Sequence, residues 1–160
     1  MSEFEFFRLA EDNITWAANL LKERWGSTRI VSRGRVYQAD TIPGFVAFRD
    51  GTPTGLVTYN LSGDECEIVS LDSILERAGA ATGMIEAVKA VAVRHKCRRI
   101  WLITTNENFA ALRFFQKRGF TLKAVYPDAI NRSRQLKPEI PLLGNDDVPI
   151  RDEIELELIL

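Results

Sequence analysis

Apolar side chains recur at every second position from Glu3 to Leu9 (EFEFFRL), with a paired Phe6-Phe7, and this alternation predicts an opening strand. The period then changes. Ile14, Ala17, Leu20, Leu21 and Trp25 stand three and four apart, which predicts a helix capped by Asp12 or Asn13 and stopped by Gly26. From Ser27 to Pro43 the pattern lapses into a polar, basic run, expected to be a loop with a short helix or strand. Three strands follow, GFVAFR, TGLVTYNL and ECEIVSL. They are separated by turns at Asp50-Gly51 and Ser62-Gly63-Asp64, so they form an antiparallel meander.

Helical spacing returns from Gly79 to Lys96, and the strand RRIWLITT comes next. A strand, a helix and a strand within about 40 residues make a right-handed crossover, so the sheet is mixed. Asn108 to Arg118 reads as a second amphipathic helix ended by Gly119, and FTLKAVY as another strand. Residues 127–149 carry Pro138, Pro141, Gly144 and Pro149 and read as irregular after a turn of helix, before residues 150–160 close the chain as an alternating strand. No internal repeat interrupts this order. The fold class is α+β (mixed α/β), a mostly antiparallel sheet flanked by helices.

With 160 residues, 46% hydrophobic and 27% charged, the chain suits one domain over residues 1–160. The formal charge of -1 leaves no net field for a nucleic-acid backbone or an anionic membrane, so neither partner is expected. The start MSEFEFFRLAEDN lacks the basic opening and apolar stretch of a secretion signal, and no window approaches the roughly 18 apolar residues of a membrane span. A cytoplasmic location is expected. Cys66 and Cys97 lack CxxC spacing and His95 is the single histidine, so no metal is expected. Cys66 as an acyl-accepting nucleophile would lack a neighbouring histidine.

Two segments carry candidate chemistry. In GDECEIVSLDSILERAGAATGMIEAVKAVA a strand leads into a helix start built of small residues, Arg77 to Gly83. Unpaired N–H groups and a partial positive charge at a helix N-terminus hold a diphosphate if side chains let it approach, although small residues also permit tight helix-on-sheet packing. In TTNENFAALRFFQKRGF, Asn106 and Asn108 sit at a strand–helix junction, where they cap the helix or bond the amides of an extended ligand.

Together these segments resemble the GNAT family of N-acetyltransferases. That family's coenzyme loop reads Q/RxxGxG/A, and Glu76-Arg77-Ala78-Gly79-Ala80-Ala81 fits from the first glycine onward, with Glu in the Gln/Arg position. Its later helix reads NxxAxxxYxxxGF, and Asn108 to Phe120 matches at Asn, Ala, Gly and Phe. The likeness is strong over a coenzyme core of about residues 44–126 and topological over the whole chain. It implies about seven strands with a splayed pair and about four helices. It also implies acetyl transfer from acetyl-coenzyme A to an amine, small molecule or peptide, by direct attack in a ternary complex.

By that resemblance the amides of Ala78, Gly79, Ala80, Ala81 and Thr82 cradle the pyrophosphate, with Arg77 beside its charge. The backbone of Val69 and Leu71 pairs with the pantetheine arm, the Val69 N–H stabilises the oxyanion, and Asn106, Asn108 and Phe115 complete the coenzyme contacts. A bulge splays ECEIVSL from RRIWLITT to open the slot. Phe115 stands where many relatives carry a tyrosine that protonates the leaving thiolate, and Tyr126 is a candidate substitute. Glu65 and Glu67 are candidate general bases, with Asp72 nearby. Arg33 and Arg35 flank a glycine and match an acidic group on the acceptor. The 127–149 insert is expected to roof the acceptor cleft, and the final strand to offer a pairing edge for a homodimer. The competing reading is a coenzyme-binding or partner-binding module whose catalytic groups are lost, for which Phe115 is the hint.

Overall fold

The computed structural model describes residues 3–75 and 78–160. In chain order its elements are β1 (Phe4–Arg8), α1 (Ile14–Trp25), β2 (Arg29–Ser32), β3 (Arg35–Gln38), β4 (Gly44–Arg49), β5 (Thr52–Ser62), β6 (Glu65–Ser73), α2 (Ala80–Arg94), β7 (Arg99–Thr105), α3 (Phe109–Lys117), β8 (Thr121–Tyr126), α4 (Ala129–Leu136) and β9 (Glu153–Ile159). Seven strands form one sheet in the order β1-β4-β5-β6-β7-β9-β8, and β2 and β3 form a separate hairpin. The β6–β7 pair is parallel and the other pairs are antiparallel. This is the expected mixed sheet with four α-helices.

The helices bury the faces their spacing specifies. Met84, Ile85, Val88, Val91 and Ala92 of α2 pack with Ala47, Val57, Cys66, Ile68, Ile100 and Leu102 of the sheet. Ala17, Leu20 and Leu21 of α1 pack with Ile30, Tyr37, Val46, Leu56 and Val69. The two faces of the sheet thus build separate cores, and β6 contributes to both. Gly26 ends α1 in the left-handed region at φ 81°, donating its N–H to the Lys22 carbonyl at 3.0 Å. Asn13, not Asp12, begins α1. Its amide bonds the Ala10 N–H and the Arg8 carbonyl, so it folds the preceding turn instead of capping the helix.

Three segments depart from the pattern reading. The 27–43 run is the β2–β3 hairpin, turning through Arg33 (φ 49°) and Gly34 (φ 76°), the two positive φ values of a type I′ turn. The 127–149 insert holds the two-turn helix α4, knitted to the residues after it by Arg134, whose guanidinium donates to the Ile140, Pro141 and Ile150 carbonyls. The last strand, β9, lies between β7 and β8 with partners on both sides, so it has no free edge for a second copy. No helix among the described residues is long and apolar enough to cross a membrane.

Candidate active site

The parallel pairing of β6 with β7 stops at Ile68↔Leu102, although β6 continues to Ser73 and β7 to Thr105. Each strand keeps its outer neighbour beyond that point: β6 stays paired to β5 as far as Gly55↔Ser73, and β7 to β9 as far as Thr105↔Glu153. The sheet therefore opens as a V between two intact halves. At the apex the β5–β6 register jumps from Thr58↔Ser70 to Tyr59↔Ile68, which leaves Val69 without a partner in β5. One extra residue bends its strand and increases the local twist, so the bulge drives the splay.

The opened V is a slot lined by Val69, Leu71, Thr104, Asn108 and Phe115, among others. Phe115 is 6% exposed and packs edge-on against Phe114 and Phe120, forming an apolar wall. The Asn108 Oδ1 accepts from the Ala111 N–H at 3.2 Å and caps α3, which leaves its Nδ2 as the group available to a ligand. Next to the slot, α2 begins after Gly79 (φ 97°), with no acidic residue in its first turn and nothing within 4 Å of where a Gly79 Cβ would stand. The Thr82 hydroxyl accepts from the Arg118 Nε at 2.9 Å, placing a cation at this helix start. Arg77 lies outside the described residues.

A V-shaped opening, with a helix start that no described residue obstructs, is the geometry the sequence resemblance implies, and comparison with known proteins identifies the family. Residues 11–120 match the model of the Acetyltransferase (GNAT) family. The chain belongs to the GNAT acetyltransferase family. It is 41% identical over 133 residues to the uncharacterized protein YdhI of Bacillus subtilis (strain 168), covering 82% of this chain and 83% of YdhI. Its fold is similar to the IAA acetyltransferase from Bacillus cereus ATCC 14579, with a TM-score of 0.75 at 18% identity over 99% of this chain and 100% of that one. It is also similar to a GNAT family acetyltransferase from Elizabethkingia anophelis with acetyl-CoA bound, with a TM-score of 0.73 at 14% identity over 98% of each chain.

On the α1 side of the GNAT slot lies an inner cavity of about 100 Å³ lined by Ser32, Glu67, Val69, Thr104, Asn108 and Glu153, with apolar residues between them. Glu67 is 3% exposed and accepts hydrogen bonds from the Tyr37 hydroxyl at 2.6 Å and the Ser32 hydroxyl at 2.7 Å. Burial pushes its carboxyl above the usual carboxylate range, against the opposing pull of those two bonds and of the Arg35 charge. Glu153, 1% exposed, accepts from the Arg33 backbone N–H at 3.1 Å and is paired with its guanidinium at 3.3 Å.

The remaining sequence candidates are distributed as follows. Glu65 lines an outer cleft together with Glu67, but it is ion-paired to Arg98 and to Arg99, the latter at 3.0 Å. Asp72 accepts from the Trp25 indole at 2.8 Å and ties α1 to the end of β6. Tyr126 does not line the slot or the inner cavity; its hydroxyl donates to Glu155 at 2.7 Å, and that bond raises its pKa. Arg33 stacks on the Tyr126 ring at 3.3 Å and Arg35 lies over Tyr37 at 4.5 Å, and both line the outer cleft with Glu65 and Glu67. Asn106 gives both ends of its amide to the backbone of residues 149–152, accepting from Arg151 and Asp152 and donating to Pro149, a structural bond set in place of the expected coenzyme contact. Cys66 is fully buried in the α2-side core, where burial pushes its thiol up to about 12, so it is neither accessible nor ionised as a nucleophile.

Sequence reasoning missed Ser32, Tyr37, Glu153 and Arg118. The motif NxxAxxxYxxxGF leaves the position of Arg118 unspecified, so none of the four carried a signal in the sequence. Among the described residues no group of three or more His, Cys, Asp or Glu is placed to hold a metal ion.

Proposed function

We propose that this GNAT protein transfers the acetyl group of acetyl-coenzyme A to a primary amine, with Glu67 as general base. The observation that carries the reading is a coincidence in space: the end of β6–β7 pairing, the unpartnered Val69 and the buried Glu67 meet at one apex. Acetyl-coenzyme A supplies the activated acyl group as a thioester. The amides from Ala78 to Thr82, with Arg118 beside them, hold its diphosphate, and Val69, Leu71, Asn108 and Phe115 hold its pantetheine arm in the slot. The Val69 N–H stabilises the negative charge that develops on the carbonyl oxygen.

An amine is protonated at neutral pH and must lose that proton before it attacks. Glu67 precedes Val69 by two strand positions, about 7 Å, while Glu65 is about 13 Å away. Glu65 is also held by two guanidiniums, so Glu67 is the base that geometry and charge favour. Its raised pKa suits proton uptake from an ammonium better than an ordinary carboxylate would. Phe115 donates no proton to the leaving thiolate, but a thiol of pKa about 8.5 departs at neutral pH with modest assistance.

Thr82→Glu tests the coenzyme site. A carboxylate in the first turn of α2 favours the helix and can pair with Arg118, yet it repels a diphosphate. Calorimetry should show coenzyme affinity falling by about tenfold or more with no loss of thermal stability. Unchanged affinity, or no binding by the wild type, would refute the reading.

A further inference from the structure

A cavity of about 370 Å³ lies between the end of α1, β2 and the 127–149 insert, and its walls are largely apolar, built by Ile30, Val31, Ile130, Ile140, Pro141 and Ile150. It adjoins the inner cavity, sharing Trp25, Ile30, Val31, Thr105 and Ile130 with it. Together they make a gallery with two buried carboxylates, Glu67 and Glu153, at its inner end and branched apolar side chains along its length.

Four charged groups line the outer part, Arg24, Glu107, Lys137 and Glu139, and two of them are already committed. The Lys137 ammonium donates to the Trp25 carbonyl at 2.7 Å and the Arg29 carbonyl at 2.6 Å, and Glu107 accepts from the Asn145 backbone and side chain, both at 2.9 Å. Arg33 and Arg35 both line the outer cleft, which meets the inner cavity at Ser32 and Glu67, and Arg33 is also paired with Glu153.

We infer that the acceptor is a hydrophobic monoamine, its ammonium drawn to Glu67 and Glu153 and its alkyl or aryl body lying against the isoleucines; this rests on the acetyl-transfer reading above. An α-carboxylate on the carbon that bears the amine would be forced beside two buried carboxylates, Glu67 and Glu153, and the Arg33 guanidinium at that end is already paired with Glu153. A second ammonium farther along the chain would be desolvated among the isoleucines. One cation on an apolar body avoids both costs.

The test is a matched acceptor series with acetyl-coenzyme A: 2-phenylethylamine, phenylalanine and 1,4-diaminobutane. The kcat/KM for 2-phenylethylamine should exceed the other two by about tenfold or more. Ile140→Asp should lower it by about tenfold while coenzyme affinity stays at the wild-type value, and Ile140→Leu should retain it. Preference for phenylalanine or diaminobutane overturns the inference. So does a protein that binds the coenzyme yet leaves 2-phenylethylamine unacetylated. Absence of coenzyme binding in calorimetry would instead remove the acetyl-transfer reading itself, so the two failures are distinguishable.

Discussion

The phenol of Tyr37 donates a 2.6 Å hydrogen bond to the carboxylate of Glu67, joining the β2–β3 hairpin to the bulged strand of the sheet. Both partners are buried, at 4% and 3% exposure, so the bond is made in a poorly solvated setting where it favours the charged form of Glu67. Removing it in Tyr37→Phe leaves burial less opposed and raises the Glu67 pKa further. The acid limb of the kcat/KM profile should therefore move to higher pH, with coenzyme affinity unchanged. A limb that stays in place, or moves lower, would show that Tyr37 does not tune the base.

Glu67→Gln separates catalysis from stability. Loss of a general base costs about 10²- to 10⁴-fold in turnover, and the acid limb should vanish with it. The stability effect has the opposite sign. Because burial raises the folded pKa of Glu67 above its unfolded value, the folded chain holds an extra proton between the two values, and stability falls as pH rises through that window. The cost persists at neutral pH, where the uncharged glutamine avoids it. Thermal melts should place the variant at or above the wild type at pH 7, with the difference closing below the ordinary glutamate pKa.

Gly83 sets how closely α2 approaches the sheet. A Cβ at this position would collide with the Phe6 ring on β1. Alanine gains up to about 1 kcal/mol of helix propensity over glycine, but overpacking against an aromatic ring costs about 1–3 kcal/mol, so Gly83→Ala should be net destabilising. In a Phe6→Ala background the ring is gone and the same substitution should stabilise. Denaturant melts of the four proteins measure this coupling; equal effects in both backgrounds would remove the Phe6 contact as the cause.

The periodic elements were legible in the sequence for two reasons: the helical spacing of α1 and α2 records one buried face each, and β5 and β6, buried on both faces, read as apolar runs bounded by turn residues. The β2–β3 hairpin was not, because Ser32 and Ala39 occupy inward positions and dilute the alternation, and its turn places an arginine at positive φ. The bulge leaves no compositional mark either. Val69 is one apolar residue in a run, and only the family resemblance assigned it to the apex. Glu153 and Glu155 misled for a different reason. In EIELELI the glutamates alternate as a solvent face would, yet they are 1% and 6% exposed because Arg33 and Arg99 cover them from 120 and 56 residues away. Pairings at that separation are a property of the fold and are invisible to local pattern.

Asn106, Glu107 and Asn108 divide two tasks at one junction. Asn106 and Glu107 hold the 127–149 insert and the backbone that follows it, while Asn108 caps α3 and faces the slot. Glu107 is 5% exposed and bonds Thr105 as well as Asn145, so its loss removes hydrogen bonds to a charged acceptor that contribute about 1.5–3 kcal/mol each. The damage should stay local, because the Asn108 cap does not depend on it. Glu107→Ala is therefore expected to speed proteolytic cleavage within residues 127–149 and to raise the acceptor KM, with the coenzyme Kd unchanged. A matching loss of coenzyme affinity would mean that the insert and the slot move as one unit and that the division of labour at this junction is wrong.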